Sequence, residues 1–247
     1  MIEVRDAWTV VWREVLLLRK KFLGFFAGSL VSPLLYLTAF GWGLGRGIRF
    51  GNTSYLDFVV PGIIALSAMN GSYNAAGLSL NTSRLYYRVF EEFLISPISI
   101  PSLVLGNILG GCLRGLLSSV IILALAYLYG AHLRCNLGFF VALMLTCFLF
   151  SALGVVAAMV VNSHEDMARF GTFVILPMSF LCGTFFRLEN FPPIVAYVIQ
   201  VLPLTHSAIS LRAFALGTGF PLVSLLVLVA YSMVFFALGI WVTMRVE

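Results

Sequence analysis

The chain has 247 residues, of which 61% are apolar and only 10% charged. Soluble domains run nearer half apolar and a quarter charged, so this composition excludes an ordinary soluble domain and points to an integral membrane protein. Fifteen basic against ten acidic residues give a net charge of +5; no basic surface interleaved with aromatics accompanies it, so the excess reads as membrane orientation and nucleic acid is not expected as a partner.

The segment 1–21, MIEVRDAWTVVWREVLLLRKK, carries Glu3, Asp6 and Glu14 and lacks the uninterrupted apolar core of a cleavable signal. Val4, Trp8, Val11, Val15, Leu18 and Phe22 recur at helical spacing and form one apolar stripe. Two tryptophans and a basic end make this an amphipathic helix expected to lie in the membrane interface, with a helix packed on a neighbour, as in soluble proteins, as the alternative. Six apolar runs follow, at 22–44, 56–80, 101–129, 137–161, 170–186 and 220–244. Each is near the roughly 20 residues that span a bilayer as helix. The polar breaks between them are short, so the expectation is one all-α integral membrane domain of six transmembrane helices covering 1–247.

Lys and Arg in the short connections set the orientation. With the N-terminus in the cytoplasm, the inner side holds Arg5, Arg13, Arg19, Lys20, Lys21, Arg84, Arg88, Arg169 and Arg245, and the outer side only Arg46, Arg49, Arg134, Arg187 and Arg212. Both termini are therefore expected inside.

The connection NTSRLYYRVFEEFLISPIS can form a helix over 83–94, capped by Asn81, Thr82 or Ser83 and stopped by Pro97. Leu85, Val89 and Phe93 make its apolar stripe, and Arg88 can reach Glu91 or Glu92. Its cations stand at the positive end of the helix dipole and its anions at the negative end, each unfavourable by about 0.3–1 kcal/mol if exposed. Those charges are expected to answer complementary ones on a cytoplasmic partner; a solvated linker that merely resists insertion is the alternative.

Within the third run Arg114 is the one deeply placed charge, roughly 20 Å along the helix from Pro101. A cation there costs about 2.5–3.5 kcal/mol without a partner or water. Asp57 starts a neighbouring run but lies near its outer edge, so Arg114 is expected either to bond backbone and polar side chains or to stand along a substrate path, meeting a group such as phosphate. Gly106, Gly110, Gly111 and Gly115 around it form two GxxxG spacings that permit close helix approach, and Gly24, Gly28, Gly41 and Gly45 repeat the pattern in the first run. Cys112, Cys147 and Cys182 fall inside apolar runs and Cys135 sits alone in a loop, which supports neither a disulfide framework nor a metal site.

Between the fifth and sixth runs, FFRLENFPPIVAYVIQVLPLTH is too apolar for a loop and too broken by proline to cross a bilayer. The nine residues between Pro193 and Pro203 reach only about 13 Å as helix. Pro192 and Pro193 suit a helix start and Pro203 limits its continuation. The expected geometry over 190–217 is a re-entrant pair of short external helices, a form tolerated where it is buried in protein or lines a cavity.

There is no P-loop, no HExxH and no GxSxG, and the three histidines lie in three different connections. No catalytic residue, metal ligand or cofactor site is assigned. A membrane-embedded enzyme acting on lipids and a secondary carrier or channel remain as alternatives from other classes.

In their order and spacing, SYLDFVVPGIIALSAM, EEFLISPISI, LGNILGGCLRGLLSS and LPMSFLCGTFFRLENFPPIVAYVIQVLPLTH resemble the ABC type-2 permeases, the membrane subunits of exporters for drugs, polysaccharides, lipid-linked glycans and nodulation factors. The resemblance covers nearly the whole chain. It implies half of an exporter of the bacterial inner membrane, paired with a second copy or a related permease. A separate cytoplasmic ATP-binding subunit would carry ATP and Mg2+, with no cofactor on this chain. It also implies that the 83–94 helix, with Arg84, Leu85, Arg88, Val89, Glu91, Glu92 and Phe93 and with Ser96 and Pro97 at its end, couples to that ATPase. Gly183, Glu189, Pro192, Pro193, Pro203, Leu204 and Thr205 would form the external re-entrant motif.

Overall fold

In a computed structural model of the chain, residues 4–20, 22–44, 49–50, 53–87, 98–185 and 192–245 are described. Apart from a two-residue antiparallel pair, Arg49–Phe50 with Thr53–Ser54, their regular structure is helical. The helices are α1 (Val4–Lys20), α2 (Phe22–Tyr36) continuing as a π-helical segment (Leu37–Leu44), and α3 (Tyr55–Tyr73) continuing through a π segment (Asn74–Leu78) into α4 (Ser79–Leu85). They are followed by α5 (Ile100–Leu128), α6 (Leu137–Val160), α7 (His164–Phe170) continuing through a π segment (Gly171–Ile175) into α8 (Leu176–Leu181), and then α9 (Pro193–Val201), α10 (Pro203–Leu216) and α11 (Leu222–Arg245).

Among the described residues three helices, α5, α6 and α11, are single elements long and apolar enough to cross a membrane; α9 and α10 make a fourth candidate if their 88° bend is counted within one span. The other three expected spans are helical but divided. Pro33 removes an amide donor inside α2, and where the helix then widens, the Thr38 hydroxyl donates to the carbonyls of Leu34 and Leu35 at 2.8 and 3.1 Å. The expected helix start near Ser83 is absent. Asn81, Thr82 and Ser83 instead continue the preceding helix as far as Leu85, with the Thr82 hydroxyl bonded back to Leu78 O at 2.8 Å.

The core is built on α3, α5 and α6. Val60, Ile63, Ile64, Ala68 and Met69 of α3 meet Ile108 and Ile122 of α5 and Phe139, Leu143, Cys147 and Phe150 of α6, all buried. Small residues set the spacing. A Cβ added to Gly115 would overlap the Ser72 hydroxyl and lie 3.1 Å from Ala68 O; one added to Gly154 would lie 2.8 Å from Tyr73 O. The glycines at 111 and 115 thus pack within one subunit, against α3.

The surface is apolar where a soluble protein's would be polar. Leu222, Val223, Leu226, Met233, Val234 and Leu238 of α11 and Phe140, Val141 and Met144 of α6 are exposed. A patch of that extent needs lipid or protein against it. The hydroxyls of Thr146, Ser179, Ser232 and Thr243 bond the carbonyl four residues back, at 2.7–2.8 Å, which pairs these four donors within their own apolar helices.

Candidate translocation cleft and its ion pair

The site is assembled from α1, α2, α3 and α5. Helix α1 lies in a groove that α5 makes by lacking side chains. A Cβ on Gly106 would come 2.6 Å from Val10 Cβ and 3.0 Å from Ala7 O, and one on Gly110 would come 2.7 Å from Glu14 Cγ. The buried face of α1 is accordingly Ala7, Val10, Glu14 and Leu18. Of the stripe read from hydropathy, Leu18 is buried in this groove and Trp8 points outward, 63% exposed, as does Trp12 at 53%, because the glycine groove admits only small or slender side chains.

Glu14 is 5% exposed and its Oε2 accepts from Arg114 Nη2 at 2.8 Å. The intramembrane cation therefore has a carboxylate partner one hundred residues away in sequence, on the amphipathic helix. Asp57 is engaged elsewhere, accepting the His132 amide at 2.8 Å and holding the connection after α5. Arg13 stands 3.7 Å from the other oxygen of Glu14, on the more exposed side of the pair.

In front of Arg114 opens a cleft of about 610 Å³. Gly24, Gly28, Ser32, Pro33 and Tyr36 of α2 form one wall; Leu66, Ser67, Asn70, Gly71, Asn74 and Ala75 form the second, and Arg114 and Ser118 the third. Ser67, Asn70 and Asn74 share one face of α3 and its π extension, so a row of hydrogen-bonding groups inside an otherwise apolar helix is turned to the cleft. Gly24 and Gly28 have nothing within 4 Å of an added Cβ; their GxxxG spacing serves open space at the cleft wall. Gly28→Leu is therefore expected to leave yield unchanged and folding stability within about 0.5 kcal/mol of wild type, as at unconstrained sites, while lowering transport several-fold by narrowing the cleft. Fluorescence-detected size exclusion paired with a vesicle transport assay checks both halves.

Towards the opposite end of α3 the chain is fastened by Arg212 of α10. Its Nε donates to Phe58 O and its Nη2 to Gly183 O, both at 3.0 Å, and the guanidinium lies 3.9 Å over the Phe58 ring. Gly183 takes a left-handed conformation (φ +68°), and the adjacent Thr184 rests against Gly62, where an added Cβ would be 2.8 Å from Thr184 O. Pro192 precedes α9, and Pro193 and Pro203 are the first residues of α9 and α10, as their chemistry predicts. Leu204 and Thr205 are buried. The last three carbonyls of α9 find side-chain donors: Thr205 Oγ1 to Ile199 O at 2.6 Å, His206 Nε2 to Gln200 O at 2.8 Å and Tyr231 OH to Val201 O at 2.7 Å. That makes a sharp turn compatible with apolar surroundings. Glu189 lies outside the described residues.

Arg84 closes the C-terminus of α6. Its Nη1 donates to the carbonyls of Met159 (2.8 Å), Ala158 (3.0 Å) and Val161 (3.3 Å), a favourable place for a cation at the negative end of the helix dipole. Leu85 is half-buried beside it. Tyr86 stacks edge-on against His164, whose Nδ1 is 2.6 Å from Asn81 Oδ1. The chain entering the connection is thus held to α6 and α7. Arg88, Val89, Glu91, Glu92, Phe93, Ser96 and Pro97 lie outside the described residues.

An all-helical bundle with a lipid-compatible surface and a polar cleft is the build of a membrane transport domain. The model of the ABC-2 type transporter family matches residues 5–216, and the chain belongs to that family. It is similar to Nodulation protein J of Rhizobium meliloti (strain 1021), with 30% identity over 217 residues that cover 85% of this chain and 82% of the relative. It is also similar to the inner membrane transport permease YadH of Escherichia coli (strain K12), with 28% identity over 229 residues covering 90% and 89%.

Proposed function

We propose that the chain is the membrane-spanning permease subunit of an ATP-driven exporter, crossing the bacterial inner membrane six times with both termini in the cytoplasm. The carrying observation is the cleft: hydrogen-bonding side chains and an ion pair gathered on facing helices of an otherwise apolar chain. The relative named as an inner membrane transport permease, and the family itself, support transport over lipid chemistry. In this reading the divided spans at Phe22–Leu44, Tyr55–Leu85 and His164–Leu181 each complete a crossing. The α9–α10 pair dips in from the outer face.

The chain holds no P-loop, so the free energy comes from ATP hydrolysed, with Mg2+, on a separate cytoplasmic subunit. That subunit engages the connection between α4 and α5, through Arg88, Glu91 and Glu92, and a second permease copy completes the route. The cargo is an amphipathic molecule, with a polar head in the cleft and an apolar portion against lipid. Binding and release of ATP shift the dimer between inward- and outward-open states, each stabilised by as much as its differential affinity allows.

Purification of the tagged chain from native membranes in mild detergent tests this. Recovery of a nucleotide-hydrolysing subunit in comparable amount, lost when Glu91 and Glu92 are both replaced by Lys, is the expected result. Flux through vesicles containing the purified chain alone, without ATP, would instead mark a carrier or channel; conversion of added lipid would mark an enzyme.

A further inference from the structure

Among the described residues Arg114 is the one charged group lining the cleft, and its charge is matched from behind. Glu14 does not line the cleft; it reaches Arg114 from α1 at 2.8 Å and is almost wholly buried. The second cation near Glu14, Arg13, is farther away at 3.7 Å, and its side chain is 34% exposed against 18% for Arg114, so solvent screens it more. The other described polar side chains of the lining (Ser32, Tyr36, Ser67, Asn70, Asn74 and Ser118) are uncharged and offer both donors and acceptors. Arg114 Nε is buried and bonded to nothing among the described residues, which leaves a donor in that guanidinium beyond the one Glu14 takes.

We propose that Glu14 determines the charge preference of the cleft: by neutralising Arg114 it makes the site select head groups that are uncharged and rich in hydroxyl or amide groups, and reject anions. An anion entering the present cleft meets a cation already paired and gains little to offset its desolvation. An uncharged head group satisfies the Ser and Asn side chains at no such cost. The N-terminal helix, read from sequence as an interfacial anchor, thereby acts on specificity through Arg114 while making no contact with cargo. This rests on the cleft being the cargo site.

The test uses the permease assembled with its ATP-binding partner in lipid nanodiscs. Two probes of equal chain length, a diazirine-bearing octyl glucoside and a diazirine-bearing octyl phosphate, are compared by photolabelling of the peptide that carries Ser67–Asn74. Wild type is expected to be labelled more by the glucoside. Glu14→Gln is expected to move the ratio towards the phosphate by roughly tenfold or more, within the range of coupling seen for close charge pairs. Glu14→Asp should keep the wild-type preference, and Glu14→Gln with Arg114→Gln should restore it. If the single Gln variant does not assemble, Arg114→Gln alone decides: it leaves the Glu14 carboxylate unmatched and is expected to lower the phosphate share below that of wild type, and an unchanged ratio overturns the proposal. A wild-type preference for phosphate, a double variant that prefers phosphate, or an unchanged ratio in Glu14→Gln overturns the proposal while leaving the cleft as cargo site. Labelling of that peptide by neither probe overturns both.

Discussion

Gly115→Val is expected to remove most of the folded protein from the membrane fraction. The added Cβ alone would overlap the Ser72 hydroxyl, which can rotate away, but it would also lie 3.1 Å from Ala68 O and from Ser72 Cβ, which cannot. Valine then brings two further methyl groups into the contact between α3 and α5, the axis of the core. Overpacking of this kind costs about 1–3 kcal/mol even where side chains alone must yield, and here backbone must yield. Gly115→Ala should fall between wild type and valine. Size-exclusion profiles and thermal midpoints in detergent check the series, with Gly28→Leu as the control in which a larger side chain meets open space.

Arg212→Met is expected to be the next most damaging change. It retains length and apolar bulk but deletes two bonds from a charged donor, to Phe58 O and Gly183 O, and the stacking over Phe58. Hydrogen bonds to charged groups contribute about 1.5–3 kcal/mol each. Gly183 O, within the buried turn 182–185, would be left short of a donor. The expected outcome is a lower thermal midpoint together with faster amide exchange in residues 182–185 and at the start of α3. Arg212→Lys should recover only part, since one ammonium cannot hold both carbonyls in the guanidinium's planar geometry.

The parts of this chain that sequence reveals are those governed by local chemistry. Run length and apolarity mark α5, α6 and α11, and proline at 193 and 203 marks the starts of α9 and α10, because both depend on neighbours along the chain. The 88° bend follows from that spacing, yet the side chains that make it tolerable, Thr205, His206 and Tyr231, are scattered through two helices and carry no pattern of their own.

The ion pair was hidden for the opposite reason. Glu14 sits among apolar residues of a helix whose strongest stripe points another way, and only the groove made by Gly106 and Gly110 turns it inward. That Arg114 needed a partner was evident from its depth; which partner was a matter of tertiary packing. Ser67, Asn70 and Asn74 were missed although they stand at helical spacing in SAMNGSYN, a signal that a search for polar periodicity within apolar runs would have found. Arg84, expected to face a partner, has its guanidinium on the carbonyls ending α6, a target invisible in a linear reading.

A permease driven by a cytoplasmic ATPase requires each connection to occupy a fixed side of the membrane. Single cysteines at Tyr87, exposed just after α4, and at Thr218, exposed between α10 and α11, can be placed in a chain with Cys112, Cys135, Cys147 and Cys182 replaced. A membrane-impermeant maleimide is predicted to reach position 87 only from the cytoplasm and position 218 only from outside. Labelling of position 87 from outside, or of both positions from the same face, would contradict a permease worked by an ATPase at that connection.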